Sequence, residues 1–252
     1  MEGIRGSRGD DESHDVRELR MMADTVREAL VDASGMSHDQ ELVRLVGTRP
    51  IADTLQRLEP SAEQSVWDMQ PVMQFDPEDP GPALTEASRA RGIGTELVTR
   101  PTTLLGNPLL PSLYPAARVG PVFLRALVVD EVRVLVEGRD TADGEPTAWL
   151  TDRMDFVVPV VEIWRRTFAL STPVLGPGEE PALSRRQLLV ARLLALGEKD
   201  QAIARRLELS ARTVEREVRT ILGQLGVRSR TEAVLAMSGR GAGSGHPLRR
   251  TD

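Results

Sequence analysis

The 252-residue chain is 40% apolar and 28% charged, enough to bury a sizeable core, and at 3% aromatic it offers no base-stacking platform or aromatic cage as its main device. It has no cysteine and only His14, His38 and His246 as histidines, which excludes disulfides, thiolate metal sites and cysteine nucleophiles and argues against a histidine-rich site or triad. The formal net charge of −6 is split: residues 181–252 hold fourteen basic and seven acidic side chains (+7) against −13 over residues 1–180, a pointer to a nucleic-acid-binding C-terminal part.

Residues 1–15 are polar, Gly-rich and charged, and read as a disordered tail without the apolar core of a signal peptide. No apolar run nears the ~18–20 residues that span a bilayer, so the chain reads as cytoplasmic, with no membrane partner. From residue 16 the pattern turns helical. Leu19, Met22, Val26 and Leu30 recur at +3, +7 and +11 as one stripe that ends near Ser34-Gly35. Such a stripe is core or a dimer-forming coiled coil. Ser37, three residues before Gln40, signals a second helix past Leu42, Val43 and Val46. Ser65–Met69 reads as a strand, Ala83–Arg91 as a helix and Glu96–Thr99 as a strand, followed by an irregular stretch over Asn107–Arg118. Phe123–Val129 and Val132–Val136 are apolar runs parted only by Asp130 and Glu131, a tight hairpin. Val157, Val160, Val161, Trp164, Phe168 and Leu170 line a further helix. This alternation over residues 16–170 predicts an α+β or α/β domain with a sensory or dimerisation role.

Two sets of body residues invite a functional reading. Trp67, Tyr114, Trp149 and Trp164 are where a pocket would be sought, with ordinary core packing as the plainer reading. Asp76, Glu78 and Asp79 could face a cation, but the prolines around them favour a solvated loop. No cofactor is expected, and no ligand residue in the body is named. Lys199 is the single lysine among 32 basic residues. Residues 1–198 therefore cannot supply a Walker A lysine, a kinase or Schiff-base lysine, a receiver lysine or a His-x-Lys pair, and the chain reads as a non-enzyme.

Residues 171–182, with three prolines, two glycines and no periodicity, form a linker by composition. Residues 183–238 then predict four helices. Ser184 and Gln187 make a capping box with Leu183 and Leu188 as a hydrophobic staple, and Gly197 ends the helix. A short helix starts at Asp200. Ser210 caps a longer one with Val214, Val218, Ile221, Leu222 and Leu225 on one side, ended by Gly226, and Ser229 with Glu232 opens the last. Short helix, turn, longer helix is a helix-turn-helix arrangement. At ~100° per residue, Arg212, Arg216 and Arg219 cluster opposite the apolar side, with Thr213 at the start. Guanidinium there can pair with guanine O6 and N7, while the helix N-terminus and the Ser210 and Thr213 hydroxyls suit phosphate. Residues 239–252 read as a flexible basic tail.

The pieces LSRRQ, LLALG, AIARRL, LS-x-RTV and LGVRSRTEA stand in that order between residues 183 and 233, and together they closely resemble the LuxR-type helix-turn-helix of bacterial transcription regulators. The resemblance implies a four-helix, all-α domain that binds double-stranded DNA as a homodimer through its last helix. It implies base reading by Glu215, Arg216 and Arg219, and phosphate contacts by Thr213 and the scaffold helix, at whose start stands Lys199. Where such regulators often carry Lys-x-His after the Thr-Val pair, this chain has Glu215 and Glu217. A carboxylate facing phosphate is repulsive and lowers the salt slope. Glu215 either pairs with Arg219 at i, i+4 or accepts from cytosine N4. The body, with its hairpin and Trp/Phe-bearing helix ahead of such a domain, resembles the phospholipase D-like effector domain of TrmB-type and actinobacterial LuxR-type regulators, which implies a non-catalytic α/β sandwich. The leading expectation is a transcription factor tuned by an unidentified small-molecule or protein effector. The alternative is a protein-interaction co-regulator with weak or lost DNA binding.

Overall fold

A computed structural model describes residues 13–34 and 41–240. Helix α1 (His14–Ser34) begins inside the expected N-terminal tail, whose residues 1–12 lie outside the described residues, as do residues 241–252 of the C-terminal tail. Its apolar stripe is core: Leu19, Ala23, Val26 and Leu30 are buried. The second helix expected after Ser37 is not there. Ser37 lies outside the described residues, and Leu42–Val46 is strand β1, with α2 (Thr48–Ser61) beginning only after Gly47. Two apolar steps of helical spacing are a weak signal, and five residues of antiparallel pairing with residues 147–151 override it.

Strand β2 (Ser65–Gln70), helix α3 (Gly81–Ala90) and strand β3 (Gly94–Thr99) follow as expected. Two helical turns, α4 (Thr103–Gly106) and α5 (Leu110–Leu113), lie in the irregular stretch before β4 (Arg118–Val119). Next come β5 (Ala126–Val129), β6 (Arg133–Glu137), β7 (Thr147–Thr151) and helix α6 (Met154–Ala169). The expected linker begins as strand β8 (Thr172–Pro173), paired with β4 at the sheet edge; two residues with one proline are too short to show in composition. The eight strands form one mixed sheet in the order β1-β7-β6-β5-β2-β3-β4-β8, with β2–β3 and β3–β4 parallel.

Period-two alternation explains the continuous apolar runs. Ala126 and Val128 of β5 and Val134 and Val136 of β6 face α1 and α6, whereas Leu127, Val129 and Leu135 face the cluster built on α2. A sheet covered on both faces is the mixed α/β region the sequence predicts. The connection spans Asp130–Val132, and its β-turn, closed by the Val132 N–H on the Val129 carbonyl at 3.1 Å, places Asp130 and Glu131 at left-handed φ of 53° and 57°. Asp130 is held there because its carboxylate accepts from the backbone N–H groups of Glu63, Gln64 and Ser65 at 2.8–3.0 Å, tying the turn to the start of β2.

Glu59 of α2, 9% exposed, accepts from Ser88 Oγ at 3.4 Å. Burial, and then the nearby Asp68, push its carboxyl up to about 7; burial pushes Asp68 up to about 6. The folded chain holds these protons more tightly than the unfolded one, so their contribution to stability is complete below the ordinary carboxylate range and is lost as pH rises through 6 and 7. Glu59→Gln is expected to stabilise the protein by ~1–3 kcal/mol at pH 8 and to change little at pH 4. Thermal melts at the two pH values check this; equal effects at both would contradict it.

The C-terminal region has the four expected helices: α7 (Arg185–Ala195), α8 (Asp200–Arg206), α9 (Ala211–Gln224) and α10 (Arg230–Met237). The Ser184–Gln187 capping box is complete. At α10, Glu232 instead reaches past the cap to the N–H of Arg228 (3.0 Å), while Ser229 Oγ accepts from the Glu232 N–H. These helices dock on the body. Phe75 and Leu109 join their core cluster, Ser112 Oγ accepts from the Leu183 N–H, and Arg192 donates to the carbonyls of Pro77 and Asp79 at 2.8 and 2.9 Å. After α10, Gly239 (φ 68°) lies so close to α4 that a Cβ there would meet Gly106 Cα at 2.5 Å, so only glycine fits.

Candidate nucleic-acid interface

Helix α9 is positioned from below by its apolar residues. Val214, Val218, Ile221 and Leu225 are buried against α7 and α8, and the turn from α8 closes with the Leu209 N–H on Ala204 O at 2.9 Å. Glu208 takes a left-handed φ of 55° in that turn, a strained conformation for a residue with a side chain. Ser210 caps α9: its Oγ accepts from the Thr213 N–H at 3.1 Å and lies 2.8 Å from the Thr213 hydroxyl. The cap uses both hydroxyls and the Thr213 N–H locally and leaves the N–H groups of Ala211 and Arg212 at the helix start outside it.

On the outer side, Ser210, Arg212, Thr213, Glu215, Arg216 and Arg219 line one groove of about 450 Å³. The side chains of Arg216 and Arg219 are 65% and 72% exposed, so the body does not cover this face. Arg212 is exposed and has no ion-pair partner among the described residues. Arg219 Nη2 pairs with Glu215 Oε1 at 2.8 Å, one of the two roles left open for Glu215. Both side chains are well solvated, so that pair is a weak competitor for any stronger acceptor. Lys199 is not in the groove; it is exposed at the N-cap of α8, with no side-chain cap bond.

Glu217 departs from the expectation that it opposes DNA alongside Glu215. Its side chain is 4% exposed and points inward, accepting from Arg186 Nη2 (2.7 Å) and Gln187 Nε2 (3.1 Å) of α7, with Arg216 Nη2 at 3.3 Å. Burial pushes its carboxyl up, but bonds from Gln187, Arg216 and Arg186 outweigh that and hold it below the usual range, so it is charged at neutral pH. Glu217 therefore braces α9 against α7 and aims Arg216. The signal was available: Val214, Glu217, Val218 and Ile221 fall at i, i+3, i+4 and i+7, the inner stripe, and only an apolar-residue wheel overlooks it. Sequence reasoning missed Arg186, and it missed the second role of the capping residue Gln187, as the partners of Glu217.

Within the body, Tyr114, Trp149 and Trp164 are buried core residues, and Trp67 stacks on Trp164 with centroids 4.1 Å apart. Asp76 and Asp79 accept from the N–H groups of Glu78 and Gly81 in their own loop, and among the described residues no His/Cys/Asp/Glu group has the arrangement of a metal site. No described helix is long and apolar enough to cross a membrane.

Residues 181–237 match the family described as bacterial regulatory proteins, luxR family. They form a LuxR-family domain. A bialaphos biosynthetic pathway regulatory protein of Streptomyces hygroscopicus is 48% identical over 48 residues, 19% of this chain and 19% of that protein, so the chain matches about a fifth of that relative's length. Among solved structures, the phospholipase D family member Nuc of Salmonella typhimurium is 16% identical over 53% of this chain and 98% of its own, with a TM-score of 0.43. The archaeal chromatin protein TrmBL2 is 15% identical over 63% of this chain and 65% of its own, with a TM-score of 0.45. The LuxR-family domain is the part that contains the groove.

Proposed function

We propose that the chain is a DNA-binding transcription regulator whose α9 enters the major groove, with residues 183–238 as the DNA-binding domain and residues 16–170 as a non-catalytic sensory or dimerisation domain. The observation that carries this reading is the outward groove of α9, where three guanidinium groups and a capped helix start share one exposed surface in a LuxR-family domain. Arg216 and Arg219, with Glu215, read base edges; Arg212, Ser210 and Thr213 hold phosphate, and Lys199 extends the contact along the backbone. A homodimer joined through α10 would use the outward Leu235, 44% exposed. Effector binding to the body would shift the population between dimer geometries.

Selection from random-sequence DNA with the full chain tests the reading and is expected to return a two-part motif. Arg216→Ala is then expected to relax one base position and cost ~1–3 kcal/mol at the selected site. An equal loss on every sequence would make Arg216 a phosphate contact, and no enrichment at low salt would overturn DNA reading. The co-regulator alternative rested on two carboxylates opposing DNA. With Glu217 turned inward it rests on Glu215 alone, and binding that appears only in Glu215→Lys would favour it.

A further inference from the structure

The face of α3 bearing Pro82, Thr85, Glu86 and Arg89 (steps of +3, +4 and +7) opposes the face of α7 bearing Arg185, Leu188, Leu189 and Arg192 at the same steps. Between them is a cleft of about 750 Å³, within the range of small-molecule sites and at a junction of two structural regions, where such sites concentrate. Leu113 and Pro115 extend its apolar wall from the body. Thr220 and Gln224 close it from α9, the helix whose other side carries the arginine groove.

Three guanidinium groups line this cleft, and two are anchored with donors to spare. Arg192 is fixed through Nε and Nη2 on the Pro77 and Asp79 carbonyls, and Arg89 through Nε and Nη2 on Thr95 (2.6 and 3.4 Å). No partner of either Nη1 is found among the described residues. The third, Arg185, reaches across the cleft to Glu86 at 2.5 Å, with the two side chains 77% and 54% exposed. An ion pair that exposed holds little energy, so another carboxylate can take the place of Glu86.

We propose that the cleft between α3 and α7 binds a small amphipathic carboxylate: the carboxylate displaces Glu86 from Arg185 and is held by Arg185 and Arg89, and the apolar body lies along Leu113, Leu188 and Leu189. The ligand touches the body and α9 together, so its occupancy adjusts how the arginine groove is presented. That consequence rests on the regulator reading; the binding itself does not. Glu180 adds a second negative charge to the lining, so the cleft selects a single carboxylate rather than a polyanion.

Decanoate is the probe, with decanol as its uncharged match, titrated calorimetrically into the full chain without DNA. Saturable one-to-one binding of decanoate is expected, with decanol weaker by about tenfold or more. Arg89→Gln and Arg185→Gln should each weaken decanoate about tenfold, and Ala83→Trp, an exposed α3 position lining the cleft, should abolish binding while the melt shows an intact fold. Three results would overturn the proposal: no saturable heat with decanoate, equal affinity for decanol, or binding that Ala83→Trp leaves unchanged. DNA affinity measured separately distinguishes a failed cleft from a failed regulator reading.

Discussion

Replacing Arg212, Arg216 and Arg219 together by alanine is expected to lower affinity for the selected DNA site by about a thousandfold or more and to make the salt dependence shallower by ~1 unit of slope for each half-site, the share of Arg212. The three guanidinium groups sit on one exposed face of α9, and each phosphate contact removed takes away ~0.9 of slope while each base contact takes away ~1–3 kcal/mol. The fold should be indifferent, because these side chains make no buried contact except the Arg216 approach to Glu217. Anisotropy titrations at several salt concentrations, beside a thermal melt, separate the two effects. Affinity that survived the triple replacement would mean that α9 is not the reading helix.

The second large effect concerns stability. Glu217→Ala is expected to cost ~1–3 kcal/mol, since it leaves Arg186 and Gln187 without their acceptor and opens the α7–α9 brace. The cost stays below that of an ion pair buried at both ends because the Arg186 side chain, 52% exposed, can return to water. The pH dependence has a definite sign. The folded carboxyl is held below its ordinary value of 4.5, so its contribution is present above that value and is lost as pH falls through the lowered folded one. Melts of the wild type and Glu217→Gln should therefore diverge at pH 7 and converge in acid. A Glu217→Ala variant as stable as the wild type at pH 7 would contradict the bracing role.

Local chemistry made the C-terminal region legible. Ser184, Ser210 and Ser229 each begin a helix in sequence and in structure, and Gly197 and Gly226 follow α7 and α9 with positive φ. The body was legible where a pattern was complete within one segment, as in the β5–β6 hairpin, whose apolar runs mark strands covered on both faces. It was obscure where pairing came from afar. Strand β1 depends on β7, more than a hundred residues later, and β7 itself passed unnoticed because only Ala148, Trp149 and Leu150 carry its apolar signal between threonines. Strand β8 exists only as the edge partner of β4. At the groove, the outward residues followed from the helical wheel, whereas the role of Glu217 required knowing that α7 supplies its partners.

The most direct measurement is the affinity of the full chain for its selected site as a function of salt. Reading by α9 in a dimer predicts a two-part site and a steep negative slope, with one phosphate contact at least from each half. A flat salt dependence, or no site recovered by selection, would contradict DNA reading by α9.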